Sequence, residues 1–149
     1  MTEDIIKKLR LRAWLAITLV TIGLVAVVML HRLNVSFTSL IQANRPLSVS
    51  CLLGSAIGSM ALPIVVRLIF YRKASKNKGI SSSDFYCMKN LEIISVFAGS
   101  LFALLAYYIP VFRYHMYLCI LAGIYGIYSI LPVDRMYQKD ISSFRVKNE

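Results

Sequence analysis

Residues 13–30 read Ala-Trp-Leu-Ala-Ile-Thr-Leu-Val-Thr-Ile-Gly-Leu-Val-Ala-Val-Val-Met-Leu, eighteen residues without a charge. At about 1.5 Å of helical rise per residue, such a run nearly matches the hydrocarbon core of a bilayer, about 30 Å thick. Three more apolar runs follow, at 47–71, 91–111 and 116–133, each of at least eighteen residues. Lipid offers the backbone no hydrogen-bond partners, so the runs must be helical; a barrel needs alternating polarity, which is absent. The chain is 58% hydrophobic and 16% charged, against about 45–50% and about 25% in soluble domains. The expected fold is all-α: an integral membrane four-helix bundle built from two antiparallel helical hairpins. It forms a single membrane domain over 1–149, with a loop at 72–90 and a tail at 134–149 on the cytoplasmic side. No soluble domain, repeat or low-complexity segment interrupts it.

Charge frames these runs unevenly. Of seventeen Lys and Arg, fourteen lie before the first run, around the middle loop or after the fourth run. They are Lys7, Lys8, Arg10 and Arg12; Arg67, Arg72, Lys73, Lys76, Lys78 and Lys89; and Arg135, Lys139, Arg145 and Lys147. The other side has Arg32, Arg45 and Arg113. Basic residues stay in the cytoplasm, so both termini are expected inside. The net charge of +10 then serves topology and anionic lipid headgroups, at about 1 kcal/mol per residue near the surface. Nucleic acid is not implied. The first run is long for a signal peptide, and His31-Arg32-Leu33 stands where small cleavage-site residues belong, so it reads as a retained anchor.

The connections carry ordinary signals. Thr2 can cap a helix with Glu3 and Asp4 in its first turn, where the macrodipole favours carboxylates. Ile5, Ile6 and Leu9 make this an interfacial lead-in to the first span. Segment 36–42 is semi-apolar and suits the membrane surface. The sequon Asn34-Val35-Ser36 sits too close to the membrane to be used. Gly79 to Ser83 marks a turn, and Asp84 is a candidate cap for the third helix. The connection near Pro110 is so short that helices 3 and 4 must pair antiparallel. Cys51, Cys87 and Cys119 form no CxxC pair and read as small apolar residues.

Few residues carry chemistry. Ser50, Gly54 and Gly58 repeat at four-residue spacing, and Ser95, Gly99 and Ala103 share a face of the next helix. Small residues let membrane helices approach closely, either inside the bundle or against partner helices; the second reading makes these six a partner-packing surface. Glu92 is the sole carboxylate inside an apolar run, and Arg67 lies at comparable depth. Intramembrane charge is a functional suspect, and three readings stand open: an Arg67–Glu92 ion pair, snorkelling, or an ion relay. Arg67 is nine positions past Gly58, half a turn off that face on a regular helix, unless Pro63 bends it. Tyr114, Tyr117, Leu121, Tyr125 and Tyr128 form a stripe expected to pack in the core. His31 and His115 have no metal-ligand spacing. Neither a nucleophile triad nor a P-loop nor a dinucleotide motif occurs, so no enzyme, metal or cofactor is expected.

Over 47–133 the chain resembles ATP synthase protein I, a family of small membrane proteins encoded beside F-type ATP synthase subunits in many bacteria. The resemblance rests on Ser48-Val49-Ser50, Gly54, Gly58 and Leu62-Pro63, on Arg72-Lys73 nine residues further, and on Glu92 opening the third helix. The family's Gly before this Glu is Leu91 here, and its Lys after it is Ser95. The resemblance implies the bacterial cytoplasmic membrane and a non-enzymatic role in assembling the ring of c subunits. It also implies a link to Mg²⁺ or Ca²⁺, but such ions need several oxygens, which one carboxylate supplies only in a homo-oligomer. Two alternatives therefore stay open: a small oligomeric transporter of Mg²⁺, Ca²⁺ or protons, and an accessory subunit of another membrane complex.

Overall fold

The computed structural model describes residues 2–33, 45–109 and 111–146, without the side chains of Thr2, Glu3 and His31. The Thr2 cap, the sequon, segment 36–42 and Pro110 fall outside that description. The described residues are helical throughout, apart from short turns: α1 (Thr2–Arg32), α2 (Arg45–Ala56), a π-helical turn (Ile57–Ala61), α3 (Leu62–Asn77), α4 (Ser82–Tyr108), α5 (Arg113–Ser129) and α6 (Asp134–Phe144). Asp4–Leu30, Arg45–Lys76 and Ser82–Tyr108 are each long and apolar enough to cross a membrane. α5 and α6 together make a fourth candidate, bent by 74° at their junction.

The lead-in and the first apolar run are one helix of 31 residues, because nothing between Thr2 and Arg32 breaks the backbone pattern. The loop expected over 72–90 is mostly helix and reduces to residues 78–81. Lys78 adopts a left-handed conformation and Gly79 a φ of 130°, and together they reverse the chain. A Cβ at Gly79 would meet the Arg145 carbonyl, so glycine is required there twice over. Ser81, not Asp84, caps α4: its hydroxyl accepts from the Ser83 N–H at 3.3 Å. Asp84 sits in the first turn and accepts from Lys73 at 2.8 Å.

Two further expectations are corrected. The fourth helix ends at Ser129 rather than 133. Pro132 lacks an N–H and biases Leu131 away from helix, so the chain turns and α6 forms from the tail. Tyr137, Asp140, Ile141 and Phe144 then face inward, while Arg135, Gln138 and Lys139 face out. Phe144 packs edge-on to Tyr71, with ring centroids 6.3 Å apart.

The hairpin pattern also differs. α4 is the central element, touching α1, α2, the π-turn, α3 and α5, and α1 packs chiefly on α4 instead of on α2. Its small face explains this: Ala13 and Ala16 are buried, and Gly23 lies so close that a Cβ would be 2.9 Å from Leu104. Trp14, Leu15, Leu19 and Ile22 point outward. Below them, Leu9, Ile80, Phe85, Met88, Tyr137 and Phe144 form a core at the basic end of the molecule.

Candidate functional site: a closed quartet of buried charge

Four charged side chains from three helices meet at that end. Lys89 and Glu92 are three residues apart on one face of α4, Arg67 comes from α3, and Asp140 comes from the inner face of α6. Arg67 Nε donates to Glu92 Oε1 at 2.8 Å, and Lys89 Nζ donates to Glu92 Oε2 at 2.9 Å. Arg67 Nη2 donates to Asp140 Oδ2 at 3.0 Å, and Lys89 closes the ring by pairing with Asp140. Each cation therefore touches both carboxylates. The Glu92, Lys89 and Asp140 side chains are 4%, 9% and 12% exposed, and Arg67 is 46% exposed.

Burying a single ion is costly, and a pair is tolerated only when geometry and hydrogen bonds are good. Two cations alternating with two anions leave no net charge, which is the arrangement that makes this burial tolerable. Tyr137 adds to it, its ring 5.9 Å from Lys89 Nζ in a cation–π contact. Burial pushes the Tyr137 phenol up to about 12; Arg10 opposes this, and the Glu92 and Asp140 carboxylates add to it. The phenol thus stays protonated at any ordinary pH. Outside the quartet, Arg10 pairs with Asp134, and Arg12 lies 5.3 Å above the Tyr86 ring.

The half-turn mismatch between Arg67 and the glycine face has a local answer. In the π-turn the Leu62 N–H donates to Ile57 O, five residues back. One extra residue in a turn rotates everything after it by about 100° relative to an unbroken α-helix. Arg67 then lies roughly 80° from the Gly58 direction rather than 180°, within reach of a long side chain. Pro63, in the first turn of α3, fits at that position because it has no N–H to place.

The expected partner-packing surface is turned inward. Gly58, Gly99 and Ala103 are buried, Gly54 and Ser95 are partly covered, and only Ser50 is exposed. A Cβ on Gly58 would be 2.6 Å from Gly99 Cα, and one on Gly54 would be 2.7 Å from the Phe102 ring. Small residues permit backbone approach, and here α4 itself takes the place of a foreign helix. The serines beside them tie α2 to α5 instead: Ser55 donates to Cys119 O at 3.0 Å, and Ser48 accepts from the N–H of Phe112, the residue that precedes α5, at 3.2 Å.

The tyrosine stripe goes the other way. Tyr114, Tyr117, Leu121, Tyr125 and Tyr128 are exposed on α5, because the opposite face of Cys119, Ala122, Gly123 and Gly126 fills the interior. The three cysteines are free thiols, Cys51 and Cys119 buried and Cys87 exposed. Among the described residues, no three His, Cys, Asp or Glu gather as a metal centre.

Beside the quartet, α3, α5 and α6 leave an open cleft of about 320 Å³ over α4. Ile64, Tyr125 and Met136 line it together with Arg67, Lys139 and Ser59. Sequence reasoning found Arg67 and Glu92 but missed Lys89 and Asp140. Lys89 is signalled by its three-residue spacing to Glu92, and Asp140 by the helical periodicity of 137, 140, 141 and 144. No family model, curated protein or solved structure matches the chain.

Proposed function

We propose that this chain is a multi-pass protein of the bacterial cytoplasmic membrane. It crosses four times, places both termini inside, and works without catalysis as an assembly factor for the c-subunit ring of ATP synthase. The observation that carries the non-transport reading is the closed quartet. An ion-translocating carboxylate must exchange its partner, whereas both oxygens of Glu92 are held by cations of the same chain. The site therefore acts as a pin joining α3, α4 and α6. The resemblance over 47–133 supplies the client. With the small-residue faces engaged internally, a client helix would meet outer faces such as that of α1.

Four crossings are supported by α5. Its 17 residues rise about 26 Å, slightly short of the core, and tyrosines near both ends suit the two interfaces. The orientation predicts that a membrane-impermeant maleimide labels Cys87 in inside-out vesicles and leaves it unlabelled in intact spheroplasts. Cys51 and Cys119 stay unlabelled in both until the protein is denatured. Labelling of Cys87 from outside reverses the topology.

The assembly reading expects c subunits to co-purify from native membranes in mild detergent, and ring content to fall on deletion. Absence of c subunits together with unchanged rings refutes it. The alternative reading is ion transport, for which Glu92 is the sole carboxylate inside an apolar run. Flux assays on proteoliposomes separate the two. Assembly predicts no flux of protons, Mg²⁺ or Ca²⁺ above empty vesicles, and flux abolished by Glu92→Gln would establish transport.

A further inference from the structure

We infer that the cleft beside the quartet is a binding site for one anionic glycerophospholipid, its phosphate held between Arg67 and Lys139 and its chains against α3 and α5. The inference rests on the basic end lying at a membrane boundary and is independent of the client. Three features converge on this occupant.

The first is charge. Arg67, Lys89 and Lys139 line the cleft against Glu92 and Asp140. The quartet is neutral by itself, so Lys139, which has no carboxylate partner among the described residues, is the surplus cation. The second is donor geometry. A guanidinium carries five N–H bonds in a flat fork matched to phosphate. Arg67 directs Nε and Nη2 to the carboxylates and retains Nη1, on a side chain that is 46% exposed. A partly engaged Arg and an unpaired Lys lining one cleft read as a phosphate cradle.

The third is zoning. The cleft is also lined by the apolar Met60, Ile64, Tyr125 and Leu131, and α5 continues this flank toward mid-membrane with exposed Leu121. Ser59 lines the cleft eight residues before Arg67, about 12 Å along the helix. Helical side chains lean toward the N-terminus, which brings the guanidinium closer to it. The Ser59 hydroxyl itself is buried against Gly99 and Gly126, so Ser59 marks the inner end of the cleft without offering a bond to its occupant. Charge together with an apolar flank matches the polarity of a phospholipid. A volume of about 320 Å³ suits the headgroup and the start of the chains, the rest lying in the bilayer.

The full-length protein, delipidated in detergent, is offered phosphatidylglycerol or phosphatidylcholine and read by native mass spectrometry. One phosphatidylglycerol should bind at least tenfold more tightly than phosphatidylcholine. Lys139→Gln, an exposed change outside the quartet, should reduce that preference about fivefold, the effect of one surface cation. Equal binding of the two lipids, or an unchanged preference in Lys139→Gln, overturns the site. So does competition by inorganic phosphate at the lipid's own concentration, which would mean an anion site without chains. Crosslinking of a protein helix, and no lipid, to a photoreactive group at position 125 in native membranes would overturn it as well.

Discussion

Glu92→Gln is expected to destabilise the detergent-solubilised protein by about 3–5 kcal/mol, the usual cost of removing one partner from a buried ion pair. The change is nearly isosteric, so the loss is electrostatic. It leaves Arg67 and Lys89 sharing Asp140 alone, and Lys89 is too buried (9% exposed) to turn to water. Arg67→Gln should cost less, because its side chain is 46% exposed and solvent already screens part of its charge. The decisive measurement is a double-mutant cycle on thermal or denaturant unfolding. If the quartet acts as one unit, Arg67→Gln with Glu92→Gln falls short of the sum by about 0.5–3 kcal/mol; additive losses would remove the pair as a structural element. Asp134→Asn is the contrast. Its partnership with Arg10 joins side chains 70% and 38% exposed, and pairs of that kind contribute about 0–1 kcal/mol.

Much of this architecture is legible in the sequence, and what is not has identifiable causes. Apolar run length places the helices, since a backbone without water has no other way to satisfy itself. Arg67 and Glu92 stand out because a lone charge in an apolar run is costly. Their relative phase does not, because the π-turn at Ile57–Ala61 rotates the face without any marker beyond Pro63 and the glycine and serine before it. Asp140 lies 48 positions beyond Glu92 in a polar tail. Its role depends on α6 folding back at Pro132, a tertiary event that periodicity permits but cannot aim. The small-residue stripes show the complementary limit. Spacing identifies a face that packs closely, and says nothing about whether the neighbour is the same chain or another.

Gly99→Ala tests that internal packing, and it is expected to be among the most damaging single-methyl changes in the protein. A Cβ there would run into the Ser59 N–H and hydroxyl and lie 2.8 Å from the Gly58 carbonyl carbon. These are mostly backbone atoms of the π-turn, which cannot rotate away as a side chain can. α4 and the π-turn must separate, and they carry the quartet with them, since Glu92 lies on α4 and Arg67 on α3, the helix that continues directly from the π-turn. Overpacking costs about 1–3 kcal/mol, offset by up to about 1 kcal/mol from the better helix propensity of alanine. Gly99→Val adds two more methyl groups without further propensity gain, so it should not yield a folded protein. Gly58→Ala should resemble Gly99→Ala, its Cβ falling 2.6 Å from Gly99 Cα. Gly54→Ala meets only the Phe102 ring, which is 40% exposed and can turn outward, so propensity should win and stability should hold or rise. The ranking by unfolding midpoint in one detergent is therefore Gly54→Ala well above Gly58→Ala and Gly99→Ala. If Gly99→Ala tolerates heat as well as Gly54→Ala does, the two helices are not in backbone contact. The π-turn would then be free to re-register as ordinary α-helix, which would swing Arg67 away from Glu92.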